Sequence, residues 1–237
     1  MTETEDFKRA AAARALEQVR PGSVVGLGTG TTMAHFLELM GEAVAAGRLP
    51  GVRGVPTSEA TRTRALELGI PVTTLEQDPD LDVAVDGADE VDPQGRLIKG
   101  MGGALLREKI VADAAGGIVV IVDEGKLVPR LGTRSPLPVE VVPFGWSRHR
   151  AAIEALGGRP ELRKDHSGEP ARTDNGHLLL DVRFPDGIED PEHVDEVLSR
   201  RPGVVETGLF FSLTREVLVS GSDGVRVLEL APAGGAS

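Results

Sequence analysis

The chain has no cysteine and no tyrosine, and only one tryptophan and six phenylalanines in 237 residues. Without cysteine there is no disulfide framework, no thiolate metal ligand and no cysteine nucleophile. So few aromatics leave little to stack on bases, and a formal net charge of -11 opposes a phosphate backbone. Both features argue against a nucleic-acid partner. Long hydrophobic runs are also missing. The longest strongly apolar run, Ile118 to Val122, is far short of the roughly 18 residues that cross a bilayer. Met1-Thr2-Glu3-Thr4-Glu5-Asp6 is acidic where a signal peptide needs positive charge. A cytoplasmic protein with no membrane partner is expected.

What is present is distributed unevenly. Apolar residues make up 40% of the chain, enough for a core, and there are 30 glycines and 16 prolines. Glycine and proline together stay below the roughly 25–30% of low-complexity chains. The length fits one large domain or two small ones.

The first half alternates helix and strand signals. Residues 7–19 read as a helix stopped by Pro21-Gly22, and Ser23 to Leu27 as a short strand. Gly28-Thr29-Gly30-Thr31-Thr32 follows, then a helix with Met33, Leu37, Met40 and Val44 at spacings of three and four. Val52 to Val55, Pro71 to Leu75, Leu81 to Val85 and Ile118 to Val122 read as strands, and Ser58 to Leu68 and residues 103–115 as helices. Such alternation implies right-handed crossovers and a mostly parallel sheet covered on both faces.

Beyond Pro129 the pattern changes. Strands at Leu137 to Val142, Arg159 to Arg163, Leu178 to Phe184 and from Val204 flank helices at Ser147 to Leu156 and Pro191 to Arg201. The order β-α-β-β-α-β is that of ferredoxin-like domains. Glu216 to Ser220 and Val225 to Leu230 form a hairpin expected to return to the first sheet. The fold class is therefore α/β: a Rossmann-like, mostly parallel sheet domain over 1–130 plus 207–230, and a smaller ferredoxin-like α+β domain over 131–206. Residues 231–237 read as a frayed tail.

Three segments carry chemistry. The Gly28 to Thr32 turn joins a strand to a helix N-terminus, where free N–H groups and a partial positive charge favour an anion. It is not a dinucleotide fingerprint, because Thr31 and Met33 stand where the third glycine would be, and a Walker A lysine is missing. Hydroxyls and amides suited to a small phosphate remain, as does the plainer reading of a threonine-capped turn. The second segment, Glu76 to Gly95, holds eight acids and no base. Of these, Asp86 and Asp89 directly follow the strand Leu81 to Val85, at the carboxyl end where open parallel sheets bind ligands. The third is the helix in Lys99-Gly100-Met101-Gly102-Gly103-Ala104-Leu105-Leu106-Arg107-Glu108-Lys109. At about 100° per residue, Lys109 and Asp113 mark its polar face, and Glu108 falls among Ala104, Val111, Ala112 and Ala115. A carboxylate among small apolar residues is partly desolvated, which raises its pKa toward that of a working general base. A structural salt bridge, for instance with Arg107, is the alternative. Lys126 follows the Ile118 to Val122 strand and is a further candidate for an anionic ligand. The five histidines show no zinc-type spacing.

These segments match a family pattern. Gly26-Leu27-Gly28-Thr29-Gly30-Thr31-Thr32, Thr57-Ser58-Glu59-Ala60-Thr61, Val85-Asp86-Gly87-Ala88-Asp89-Glu90, the Lys99 to Lys109 segment, Pro136 to Val141, Gly157-Gly158-Arg159-Pro160, Thr173-Asp174-Asn175-Gly176 and Pro202 to Phe210 run in order over residues 7 to 230. The chain thereby resembles the ribose-5-phosphate isomerases of the A type. Met101 departs from the pattern, since the family's loop commonly carries another glycine there. The resemblance implies reversible isomerisation of D-ribose 5-phosphate and D-ribulose 5-phosphate, with no metal and no other cofactor, in a homodimer or homotetramer. It implies Glu108 as the base moving a proton between C1 and C2, Asp86 and Asp89 on the sugar hydroxyls and ring opening, and Lys99 on the intermediate. Gly28, Thr29, Gly30, Thr31, Thr32, Lys8, Lys126, Gly100, Gly102 and Gly103 are implied to line the sugar and phosphate site. A non-catalytic sugar-phosphate sensor on the same fold is the alternative. A nicotinamide-dependent oxidoreductase is disfavoured by the failed fingerprint.

Overall fold

The computed structural model describes residues 3–231, with side chains from Glu5 onward. Its contacts divide the chain into two units. The first comprises the described residues up to Ala88, Arg107–Leu127 and those from Ser212 on; the second comprises Asp89–Leu106 and Val128–Phe211. Residues 89–106, assigned from the sequence to the first domain, thus cluster with the second.

In the first unit, α1 (Glu3–Leu16), β1 (Val24–Leu27), α2 (Thr31–Ala45), β2 (Arg53–Pro56), α3 (Glu59–Glu67) and β3 (Val83–Asp86) follow in order. β6 (Ile118–Asp123), β12 (Thr214–Gly221) and β13 (Gly224–Val227) complete a six-stranded sheet of order β13-β12-β6-β3-β1-β2. All pairings are parallel except that of β12 with β13. The sheet is buried on both faces, which is why its strands read as near-continuous apolar runs. Val25, Leu27, Val83, Val85, Val119 and Ile121 pack with Ala11, Ala12 and Ala15 of α1 and Met33, Phe36 and Met40 of α2. The alanines let α1 lie close to the sheet. On the other face, α4 (Leu105–Ala114) lies directly on β1: a methyl group on Gly26 would meet Val111 Cγ1 at 2.6 Å.

The second unit holds β7 (Leu137–Val141), α5 (Arg150–Ala155), β8 (Arg159–Leu162), β9 (Leu178–Arg183), α6 (Pro191–Ser199) and β10 (Val204–Thr207). The antiparallel sheet has the order β10-β7-β9-β8, the ferredoxin-like arrangement expected. Ile153 of α5 and Val194 and Leu198 of α6 pack with Val139, Val141, Leu180 and Val182. Asp190 caps α6 by accepting from His193 N at 2.9 Å, and Pro191 occupies its first turn. A small sheet of β4 (Glu90–Val91), β5 (Leu97–Ile98) and β11 (Leu209–Phe210) was not foreseen. Two-residue strands carry no periodicity to read.

Three element readings change. The first helix begins at Glu3, not residue 7. Ser147 to Leu156 opens as a 3-10 turn over Trp146–His149 before α5. Pro71 to Leu75 is not a strand: only Val72 bridges to Gly54. Backbone bonds flank that bridge, Gly54 N donating to Pro71 O at 2.8 Å and Thr73 N to Gly54 O at 2.9 Å, and side chains add to the hold, because Thr73 Oγ1 donates to Asp78 at 2.7 Å and Arg53 grips the same carboxylate through Nε at 2.9 Å. The tail reading from residue 232 on lies outside the described residues. Among the described residues no helix is long and apolar enough to cross a membrane.

Candidate active site

In the first unit, β1 leads to β2 on one side while β3 pairs on the other, which makes the carboxyl ends of β1 and β3 a topological switch point. Gly28 and Asp86 stand there. Asp86 is 2% exposed, and its Oδ1 accepts from Gly87 N at 2.7 Å and Thr29 N at 3.2 Å. The fit at Gly28 is tight: a methyl group there would lie 2.1 Å from Asp86 Oδ1.

Gly30 caps α2 without a side-chain hydrogen bond, and no acidic residue stands in its first turn. Exposed Thr31 and half-buried Thr32 begin the helix, so its free amides and dipole suit an anion. Thr29 differs from its neighbours. Its hydroxyl shares hydrogen bonds with Thr57 Oγ1 at 2.7 Å and Thr61 Oγ1 at 3.1 Å, and donates to Ser58 Oγ at 2.9 Å. Thr57 and Thr61 in turn donate to the carbonyls of Leu27 and Gly28. The Thr29 side chain therefore ties the β1 turn to the start of α3.

Glu108 is 4% exposed in the first turn of α4. Val111, Ala112 and Ala115 share its buried face, whereas Asp113 is exposed and Lys109 half-buried, as the helical phase predicted. Its height along the sheet follows from the Gly26–Val111 contact. α4 ends at the amino end of β3, where Leu81 N donates to Ala114 O at 3.3 Å, so it runs antiparallel to the strands. Three residues before Val111 is about 4.5 Å of helix, and one strand residue is about 3.3 Å. Glu108 therefore stands level with Leu27 and Gly28. Arg107 beside it pairs with Glu59 at 2.9 Å.

Lys8 of α1 pairs with Glu5 at 2.9 Å, and Glu5 also meets His35 Nε2 at 2.7 Å. Both partners hold the Glu5 carboxyl below its usual range. His35 is one turn beyond Thr31 on α2, so Lys8 is held toward the start of that helix. Lys126 is half-buried and ends the 3-10 turn Glu124–Lys126 that follows β6.

The second unit carries Asp89, Lys99 and the glycine loop. Asp89 N donates to Ile98 O at 2.9 Å, and Asp89 Oδ2 accepts from Met101 N at 3.0 Å. Lys99 follows β5, is 3% exposed, and holds its ammonium 5.6 Å from the Phe210 ring centroid, a cation–π contact. Gly100 has φ 103°, and Gly103 N closes the turn onto Gly100 O at 2.9 Å; Gly102 is exposed. Glu90 was passed over in the sequence as one more acid of its stretch. It is fully buried and accepts from the amides of Gly132, Arg134 and Ser135 at 2.6, 2.7 and 2.5 Å. Its sequence neighbours Asp89, Val91 and Asp92 gave nothing to set it apart from the other acids. Among the described residues no group of three or more histidine or carboxylate side chains is arranged to hold a metal ion.

Residues 53–224 match the family model of ribose 5-phosphate isomerase A (phosphoriboisomerase A). The chain belongs to this family. A ribose-5-phosphate isomerase A of Roseiflexus castenholzii is 52% identical over 223 residues, 94% of this chain and 95% of the relative. That of Bradyrhizobium diazoefficiens is 52% identical over 235 residues, 95% and 96% of the two chains. Among solved structures, a D-ribose-5-phosphate isomerase in complex with phospho-erythronic acid superposes with a TM-score of 0.92 at 41% identity, covering 96% of this chain and all of the other. Ribose 5-phosphate isomerase A of Methanocaldococcus jannaschii gives 0.89 at 40%, with 96% and 100% covered. The sequence departure at Met101 leaves the loop's backbone bonding in place: its side chain is exposed, with Sδ 4.0 Å from Arg163 Nη2, while its amide donates to Asp89 and its carbonyl accepts from Arg163.

Proposed function

We propose that this chain interconverts D-ribose 5-phosphate and D-ribulose 5-phosphate by moving one proton between C2 and C1. Family membership supports the reaction, and the observation that carries the assignment of the base is Glu108, buried on α4 at the height of the β1 carboxyl end.

A C–H beside a carbonyl is a weak acid, so the site needs a base over the carbon and positive charge near the oxygen that gains electrons. Glu108 takes the proton from C2. The C–H electron pair becomes the C1=C2 bond of an enediolate, and the carbonyl pair passes to O1. Lys99 supplies the positive charge for that oxygen. The O2 proton moves to O1, C2=O forms, and Glu108 returns its proton to C1. Water must be kept from the protonated base for this return to succeed. Most of the aldose is cyclic, so a separate acid–base group opens the ring; Asp86 and Asp89 take this task and bind the hydroxyls. The α2 N-terminus with Gly30, Thr31 and Thr32 receives the phosphate, with Lys8 and Lys126 as counter-charges, while Gly100, Gly102 and Gly103 offer backbone to the sugar. Gly28 and Thr29 act indirectly here, by seating Asp86. The same reading puts the reaction in the cytoplasm and in an assembly of two or four copies, which light scattering on the purified chain checks.

The test is an assay of ribose 5-phosphate turnover with excess EDTA, on the wild type and Glu108→Gln. Turnover by the wild type alone is expected. Binding of the sugar phosphate without isomerisation by the wild type would favour a sensor, and activity lost to EDTA and restored by a divalent ion would reject the metal-free mechanism.

A further inference from the structure

We infer that Arg163 is a positioning residue for this isomerisation, holding the Gly100–Met101 peptide so that its amide seats Asp89. The inference rests on the function proposed above.

Arg163 lies just past β8, on a backbone fixed from both sides: its amide donates to Leu179 O and its carbonyl accepts from Ala171 N, each at 2.9 Å. Its side chain is 14% exposed. Nε donates to Asp181 Oδ2 at 2.9 Å and Nη2 to Asp181 Oδ1, a two-point grip on one carboxylate. The remaining edge of the guanidinium faces the glycine loop, where Nη1 donates to Gly100 O at 3.2 Å and to Met101 O at 3.0 Å. A planar fork can hold a carboxylate and two carbonyls at once; an ammonium on a flexible stem cannot.

The loop needs such a hold. Glycine-rich backbone loses more freedom on ordering than any other, and Lys99-Gly100-Met101-Gly102-Gly103 has three glycines in five residues. Arg163 acts on the peptide that matters. The carbonyl receiving its proton is that of Gly100, and the amide of the same peptide, Met101 N, donates to Asp89 Oδ2 at 3.0 Å. Charge placed on a carbonyl strengthens donation by the amide it is conjugated with. The chain Asp181, Arg163, Gly100–Met101, Asp89 thus joins a residue of β9 in the four-stranded sheet to a carboxylate assigned to the sugar. Lys99, one residue before the clamped peptide, is steadied by the same contacts.

The experiment compares the full-length wild type with R163M, R163K, D181N and R163M/D181N. A carboxylate misplaced by about 1 Å costs up to about 100-fold in rate. R163M is expected to lower kcat about 10- to 100-fold, with KM changed far less because the side-chain bonds of Arg163 go to Asp181, Gly100 and Met101 and to none of the residues proposed for the phosphate. R163K should recover little, D181N should fall between wild type and R163M, and the double variant should be as slow as R163M. Melting temperatures separate this from a general loss of fold. Should R163M fail to fold, D181N, which keeps the arginine and loosens its grip, still reads the effect: a reduced kcat at wild-type KM supports the inference. Wild-type kcat in R163M or in D181N, or full recovery by R163K, overturns the positioning role alone. A wild-type chain that does not isomerise the sugar overturns the function as well.

Discussion

A methyl group on Gly28 would stand 2.1 Å from Oδ1 of Asp86. The end of β1 and the end of β3 are therefore fitted to each other at the residue assigned to the sugar. Gly28 does not adopt a left-handed backbone, so space, not φ, forbids a side chain there. Gly28→Ala is expected to push Asp86 aside, costing about 1–3 kcal/mol of stability and a larger share of kcat/KM. Thermal melts alongside the isomerase assay check it; an active Ala variant with an unchanged melt would separate Asp86 from the reaction.

Glu108→Gln keeps shape and burial but cannot accept a proton. Loss of a general base costs about 100- to 10,000-fold. Turnover should fall by that order while ribose 5-phosphate still binds by calorimetry. In deuterated buffer the variant should also stop exchanging the C2 proton. Continued exchange at the wild-type rate would assign the base elsewhere.

The Thr29 hydroxyl is spent on Thr57, Ser58 and Thr61, so its loss should be felt first in stability. Thr29→Val strands buried hydroxyl groups, at a cost of about 1–3 kcal/mol. The KM for ribose 5-phosphate should move little. A large rise in KM with an unchanged melting temperature would show instead that this hydroxyl contacts the phosphate.

Asp78 joins Arg53 of β2 to Thr73, and these partners lower its carboxyl to about 2, Arg53 contributing most. A carboxyl whose pKa is depressed in the folded state binds fewer protons there than when unfolded. Its stabilising contribution is complete above the ordinary value near 4 and disappears as pH falls toward 2. Asp78→Asn should therefore lower the melting temperature at pH 7, and the gap from wild type should close between pH 4 and pH 2. A gap that stays constant over that range would mean the charge does not matter.

His149 is buried, and burial followed by the charge of Arg201 keeps it below its usual pKa. The unfolded chain takes up a proton there before the folded one does. Stability is thus full above pH 6.5 and declines as pH falls below that value. Melting curves of wild type and His149→Phe between pH 7.5 and 5 should converge toward the acid end.

Much of this was legible in linear order. The alternation of β-branched runs with periodic helices implied a parallel sheet because strands buried on both faces must be apolar throughout. The phase of α4 placed Glu108 on its inner face because 3.6 residues per turn is a property of any helix. Adjacent motifs showed Asp86 at a strand end and Gly28 to Thr32 at a helix start. What failed was local or distant. Pro71 to Leu75 has strand-like residues, yet it makes a single bridge to β2, at Val72, and Thr73 and Arg53 share Asp78 beside it. Residues 89–106 follow the first sheet in the chain but cluster with the ferredoxin-like unit, because β5 pairs with β11, more than a hundred residues away.

The sequence by itself determined the type and order of the longer helices and strands and the chemical character of each candidate residue, since these depend on periodicity and on groups a few positions apart. Only the tertiary structure decided that Thr29 turns its hydroxyl inward, that Asp86 fills the space Gly28 leaves, and that Arg163 reaches across 62 residues to the Met101 carbonyl. Hydrogen bonds and close contacts of that kind join residues by folding, and their partners leave no spacing to read.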